Sequence, residues 1–240
     1  MEEKLVENGR FYAVGVGPGD PELMTVKAIK TIENADVIVI PTTESKNTTA
    51  MRIAAEYVKD KEVVSCHMPM SKKMATDNWE KIEEFHRESA DIVGKLLDKG
   101  KDVAFLTLGD PTVYSTVMYV HRILDKRGYS TEIVPGITSF CAAAARLNVS
   151  LCEREEMLHI IPATFTDLDE IEKYEGTKVL MKSGKTIMNV KDRLAKDGAM
   201  MVEKATMEGE KIYRDMNELE EPSSYFSLVV LHSKERQAEE

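Results

Sequence analysis

Through the first two-thirds of the chain, short apolar runs alternate with stretches whose apolar residues recur every three or four positions. Phe11-Tyr12-Ala13-Val14 predicts a strand that stops at Gly15-Val16-Gly17-Pro18-Gly19, a string no strand or helix interior tolerates. Asp20 has the chemistry of an N-cap, with Pro21 at the first helical position and Glu22 suited to the helix dipole. Leu23, Val26, Ala28 and Ile29 then give that helix a buried side. Val37-Ile38-Val39-Ile40, stopped by Pro41, predicts a second strand, Thr48 to Val58 a helix, and Glu62 to Ser65 a third strand. A long helix is predicted from about Asp77 to Asp98, with Ile82, Phe85, Ile92, Val93, Leu96 and Leu97 at helical spacing and Gly100 at its end. Val103 to Leu106 and Thr131 to Val134 predict the fourth and fifth strands, and Val113 to Lys126 and Phe140 to Leu147 the helices after them.

Five β-α units imply an α/β protein: a mostly parallel five-stranded sheet with helices on both faces. A strand such as Val37 to Ile40 is apolar throughout because both its sides are covered. Right-handed crossovers put the β-to-α turns on one rim, where open α/β sheets bind ligands. After Asn148 the texture changes: Met157 to Ile161, Lys178 to Met181, Met200 to Lys204 and Tyr225 to Leu231 read as strands. Helical patterns lie between them only near Asp167 to Lys173 and Thr186 to Lys196. The division expected from this is an N-terminal α/β domain at 1–150 and a smaller α+β domain with a mixed sheet at 151–240.

Charge and composition narrow the function. The 240 residues carry 32 basic and 42 acidic side chains, a formal charge of -10, which repels nucleic-acid phosphate on average. The only adjacent lysines are Lys72-Lys73. No apolar run approaches the roughly 18 residues of a membrane helix, and Met1-Glu2-Glu3-Lys4 does not open a signal peptide, so a cytoplasmic protein is expected. Cys66, Cys141 and Cys152 form no C-x-x-C, and reduced thiols are expected. The five histidines are scattered and no ligand cluster argues for a protein-bound metal, although His67 and His159 are the two to watch.

The chemistry-bearing strings sit at strand ends. Gly15-x-Gly17-x-Gly19 places Asp20 where a dinucleotide fingerprint needs its third glycine, and a carboxylate there repels a pyrophosphate. Ser183-Gly184-Lys185-Thr186 resembles the end of a P-loop, but Val179 stands where its opening glycine belongs. Gly109-Asp110-Pro111 ends strand four: glycine admits a ligand to the backbone, and the aspartate caps the next helix or accepts hydrogen bonds from a ligand. Pro135-Gly136-Ile137-Thr138-Ser139 supplies another glycine-bearing turn on the same rim. Together these turns predict a concave, backbone-lined pocket for a small ligand.

Val14 to Thr25, Ala35-Asp36-Val37-Ile38, Gly109-Asp110-Pro111 and Pro135-Gly136-Ile137-Thr138-Ser139 resemble, in order and over essentially the whole chain, the tetrapyrrole (corrin/porphyrin) methyltransferases. The strings Leu106 to Thr116 and Val134 to Ala144 look most like the precorrin-2 / cobalt-factor II C20-methyltransferases of cobalamin synthesis. The resemblance implies two α/β domains with S-adenosylmethionine in a cleft between them, a tetrapyrrole substrate and a homodimer. Carried over by motif position, the donor contacts Leu108, Gly109, Asp110, Val113, Tyr114, Thr138 and Ser139, and from the second domain Met181, Lys182, Ala205 and Thr206. Asp110 and Tyr114 are the candidate catalytic groups, and Asp20 also stands among possible acceptors for the meso proton. Gly17, Pro18, Asp20, Lys72 and Lys73 are the candidate substrate contacts, with Arg52, Lys46 and Lys182 as further cations for a ring bearing carboxylates. The glycine turns alone leave open a same-fold methyltransferase for another substrate, such as a diphthine synthase or another precorrin methyltransferase, and a non-catalytic nucleotide sensor.

Overall fold

The computed structural model describes residues 7–42, 48–68, 79–162, 168–171 and 173–233. Its contacts divide the chain into two units, Met1–Thr138 and Ser139–Glu240.

In the first unit, β1 (Phe11–Gly15), β2 (Val37–Thr42), β3 (Glu62–His67), β4 (Val103–Thr107) and β5 (Thr131–Val134) pair in the order β3-β2-β4-β1-β5. Every pair in this sheet is parallel. Alternate residues of each central strand enter opposite cores. Ile38, Ile40, Ala104 and Leu106 pack with the helices Val26–Asn34 and Thr49–Ile53, while Val37, Val39, Val103 and Phe105 pack with Trp79–Leu97 and Val117–Lys126. That double burial is why the β2 run carries no polar residue before Pro41.

Local chemistry moves several helix starts. Asp20 does cap, accepting from the Glu22 N–H at 2.9 Å, but Pro21–Leu23 is one 3-10 turn. The α-helix begins afresh at Val26, with the Thr25 hydroxyl accepting from the Ala28 N–H at 3.1 Å. The helix expected over Thr48 to Val58 is α-helical only at Thr49–Ile53. The one expected from Val113 starts at Val117, because Tyr114 takes a left-handed backbone (φ 51) that no α-helix contains.

The second unit holds β6 (Leu158–Pro162), β7 (Thr177–Met181), β8 (Met200–Glu203), β9 (Lys211–Tyr213) and β10 (Ser227–Leu231), in the order β6-β7-β10-β8-β9. Only the β6–β7 pair is parallel, so the sheet is mixed as expected. The edge strand β9 has no counterpart in the sequence reading, since three residues, two of them exposed, carry no alternation to detect. One face of the sheet packs on Ala143 and Leu147 of the helix Ser139–Leu147, and the other on Ile171, Ile187, Leu194 and Met216. This places the contact division twelve residues ahead of the expected one at 150/151: the alanine-rich helix buries its apolar face on Val179, Val202 and Val230. Asn148, in the left-handed region (φ 58), ends that helix.

Candidate functional site

The strands β4, β1 and β5 are neighbours, and their carboxyl ends are level: Gly15 pairs with Thr107, and Val14 with both Leu106 and Val134. Three glycine-bearing turns therefore leave the sheet side by side, and each is tied to the other two. The first and second exchange backbone hydrogen bonds, the Gly109 N–H to the Gly17 carbonyl at 2.7 Å and the Gly17 N–H to the Gly109 carbonyl at 3.2 Å. The first and third join through the Thr25 hydroxyl, which donates to the Pro135 carbonyl at 3.3 Å. The second and third join through Asp110, whose Oδ2 accepts from the Gly136 N–H at 2.9 Å. Asp110 Oδ1 accepts from the Thr112 N–H at 2.8 Å and from the Thr112 hydroxyl.

The glycines are there for two different reasons. A Cβ on Gly15 would stand 2.6 Å from the Gly109 carbonyl oxygen and 2.8 Å from the Gly136 nitrogen, and one on Gly136 would stand 2.2 Å from that same oxygen. Gly15 and Gly136 thus make room for neighbouring backbone. Gly109 is buried with a left-handed φ of +69, and the nearest atom to its would-be Cβ is 4.0 Å away, so no neighbouring backbone crowds that side. This is the glycine that fits the expectation of a ligand close to the backbone.

The first unit's expected donor contacts lie in this turn and in the one after β5. Leu108 is half-buried against the core, Val113 and Thr138 are half-buried, and Tyr114 is 49% exposed. The Thr138 Oγ1 is buried and, among the described residues, has no hydrogen-bond partner. A buried hydroxyl left in that condition costs free energy unless something absent from the chain itself completes it. Gly17 and Pro18 are buried within the turn, and Asp20 is half-buried as a cap. Ser139 opens the helix of the second unit.

In the second unit two of the expected contacts, Lys182 after β7 and Thr206 after β8, sit in strained backbone. Lys182 (φ 61), Lys204 (φ 52) and Thr206 (φ 62) are left-handed without being glycine, and for β-branched Thr206 that is a genuine outlier. Such strain persists where surrounding structure enforces it, and it concentrates at ligand sites. After β7, the Ser183 and Ser227 hydroxyls bond at 2.9 Å and the chain enters a 3-10 helix at Gly184–Asn189, so the Ser183-Gly184-Lys185-Thr186 string forms no P-loop. After β8, Ala205 is buried, and Glu210 holds the turn by accepting from the Thr206 N–H at 2.6 Å and from Arg146 at 2.7 Å. Burial raises the Glu210 carboxyl, but the Arg146 and Thr206 hydrogen bonds and the Arg146 charge together hold it below its ordinary value.

Glu210→Gln should therefore cost roughly 1 kcal/mol at neutral pH, a hydrogen-bond loss discounted because Arg146 is solvent-screened. By calorimetry that is a Tm drop of about 2–4 °C. The native carboxyl pKa lies below the unfolded one, so its contribution is present at neutral pH and lost on acidification through the native value. The variant and wild type should accordingly converge in acid.

Lys46, Lys72 and Lys73 lie outside the described residues, and Arg52 is exposed on the helix Thr49–Ile53. His67 is exposed and meets Phe85 edge-on, while His159 Nε2 lies 2.7 Å from the Glu175 carbonyl and stacks on Tyr174. Among the described residues no His, Cys, Asp and Glu group could hold a metal ion, and no helix is long and apolar enough to cross a membrane. All three cysteines are free, and burial pushes the Cys66 thiol up to about 11, which keeps it unreactive. An open groove of about 440 Å³ lined by Tyr12, Lys30 and Asp102 lies at the beginnings of the strands, away from the glycine turns, with Lys27 paired to Glu132 in its wall.

Sequence reasoning missed the Thr25, Thr112 and Glu210 ties. Only Thr112 carries a local signal, a hydroxyl two residues after an aspartate in a turn.

The family model for the Tetrapyrrole (Corrin/Porphyrin) Methylases matches residues 10–220. The chain belongs to the tetrapyrrole methylases. This methylase is 34% identical over 238 residues to the probable cobalt-precorrin-2 C(20)-methyltransferase of Methanocaldococcus jannaschii, covering 95% of this chain and 97% of that one. It is 32% identical to the cobalt-precorrin-2 C(20)-methyltransferase of Salmonella typhimurium, covering 97% of this chain and all of that one. Among solved structures, the methylase matches the uroporphyrin-III C-methyl transferase of Thermus thermophilus complexed with S-adenyl homocysteine. The TM-score is 0.66 at 23% identity, over 95% of this chain and 100% of that one, a likeness of fold.

Proposed function

We propose that this methylase transfers the methyl group of S-adenosylmethionine to the C20 meso carbon of precorrin-2 or its cobalt complex, as a cytoplasmic homodimer in cobalamin biosynthesis. The observation that carries the reading is identity above 30% along nearly the full length of two C(20)-methyltransferases. The fit of the donor rests on this chain's own residues: an uncrowded backbone at Gly109 and a buried Thr138 hydroxyl with no partner among the described residues.

A sulfonium supplies a methyl group that is already activated. The ring carbon's electron pair forms the new C–C bond, the S–C bond breaks, S-adenosylhomocysteine leaves, and the meso proton passes to an acceptor. The work left to the protein is orientation and exclusion of water, worth as much as about 7–11 kcal/mol. Leu108, Gly109, Val113, Tyr114, Thr138 and Ser139 are the proposed donor contacts, together with Met181, Lys182, Ala205 and Thr206. Tyr114, half-exposed and held left-handed, is the proposed side chain toward the ring. Cations must offset the chain's charge of -10 against a polycarboxylate, and Lys72, Lys73, Lys46, Arg52 and Lys182 are the proposed set.

Thermal unfolding with S-adenosylhomocysteine, NAD and ATP tests the donor. Only S-adenosylhomocysteine is expected to raise Tm, since a ligand stabilises the state that binds it by mass action. A rise with NAD or ATP instead would favour the nucleotide sensor. Addition of cobalt-sirohydrochlorin with the donor should then change the pigment's absorption spectrum, and an unchanged spectrum would remove the tetrapyrrole reading for this ring.

A further inference from the structure

Asp110 is 8% exposed, and both its oxygens are occupied within the chain. A cap at the head of a turn needs only one carboxylate oxygen to accept a nearby N–H. Asp110 uses Oδ1 in that way toward Thr112, but its Oδ2 reaches the Gly136 N–H, 26 residues further along the chain. Among the ties described above, this one is made by a charged group, and charge-assisted bonds are about twice as strong as neutral ones. It also joins the turn of the uncrowded Gly109 to the turn that carries the Thr138 hydroxyl, unpartnered among the described residues.

We propose that Asp110 is a positioning residue: its carboxylate fixes the turn Pro135–Thr138 against the turn Leu108–Tyr114, so that the Gly109 backbone and the Thr138 hydroxyl address one donor molecule. It is not the acceptor of the meso proton. Three donors converge on a largely buried carboxylate, which suits a fixed strut and not a group that must meet the substrate ring. Gly136 has no Cβ because this tie draws its backbone to within contact of Gly109. The inference rests on reading these turns as the donor site.

The variants are Asp110→Asn, which turns an N–H toward one of the backbone donors, and Asp110→Glu, which keeps an acid but displaces it by a methylene. Amide hydrogen exchange reads the tie directly. Exchange at Gly136 should quicken about tenfold or more in both variants. The dissociation constant for S-adenosylhomocysteine should rise about tenfold by calorimetry. In turnover of cobalt-sirohydrochlorin, the donor KM should rise by more than kcat falls. Thr112→Val, which removes one bond to Oδ1 and leaves the carboxylate, should give the same exchange effect in milder form should the Asp110 variants not fold. Unchanged exchange at Gly136 would overturn the proposal. So would unchanged donor affinity with a collapse of kcat that Asp110→Glu restores, the signature of a proton acceptor. If wild type itself does not bind S-adenosylhomocysteine, the donor reading fails while exchange at Gly136 still decides the tie.

Discussion

Gly136→Ala is expected to abolish measurable S-adenosylhomocysteine binding and to cost about 3 kcal/mol or more of stability. The added methyl would sit 2.2 Å from the Gly109 carbonyl oxygen and 2.9 Å from Gly15 backbone, with no flexible side chain to yield. Relief requires one turn to move, and either movement breaks a tie: the Asp110 bond to Gly136 or the paired bonds between Gly17 and Gly109. Gly136 is not left-handed, so the penalty comes from crowding and not from backbone preference. Gly128→Ala is the control. Gly128 is left-handed (φ +87) with nothing within 4 Å of a Cβ, so alanine there should cost only about 1–2 kcal/mol and leave binding intact. Urea unfolding and titration calorimetry on both variants decide the matter. Equal behaviour of the two would mean that the three turns are not a packed assembly.

The contrast also locates what the sequence can disclose. The β-α alternation is legible because burial on both faces forces unbroken apolar strands such as Val37 to Ile40, and helical spacing survives in Trp79–Leu97. Convergence of the glycine turns follows from the handedness of crossovers, which makes the rim predictable before any coordinate is known. Which glycine faces a ligand and which faces another turn is not legible. Gly15, Gly109 and Gly136 look alike in the chain, and only the register of β4, β1 and β5 separates them. The tie made by Asp110 is equally hidden, because its partner is a backbone N–H 26 positions away. Helix starts slipped for a related reason: Thr25 outcompetes Asp20 as the cap of an α-helix, and Tyr114 yields its helical conformation to the rim. The contact division near Thr138 reflects which sheet the alanine-rich helix covers, a choice its small, uniform side chains do not advertise.

Thr138→Val should separate stability from binding in opposite directions. Valine has the shape of threonine without the hydroxyl, and the Thr138 Oγ1 is buried with no partner among the described residues. Replacing an unsatisfied buried hydroxyl by a methyl removes a desolvation cost, so the ligand-free protein should be as stable as wild type or somewhat more so. On the proposed donor site, the bound donor gives the hydroxyl its partner, and loss of the hydroxyl would leave a ligand polar group facing a methyl. That exchange is worth about 1–3 kcal/mol, which converts to roughly 5- to 150-fold in the dissociation constant for S-adenosylhomocysteine. Thermal unfolding should accordingly show an unchanged or higher Tm without ligand and a smaller ligand-induced rise. Thr25→Val supplies the opposite pattern, because the Thr25 hydroxyl is fully used, accepting from the Ala28 N–H and donating to the Pro135 carbonyl. Its removal should lower the ligand-free Tm. A Thr138→Val protein that is destabilised without ligand, yet binds S-adenosylhomocysteine as wild type does, would show that the hydroxyl serves the fold and that the donor is gripped elsewhere.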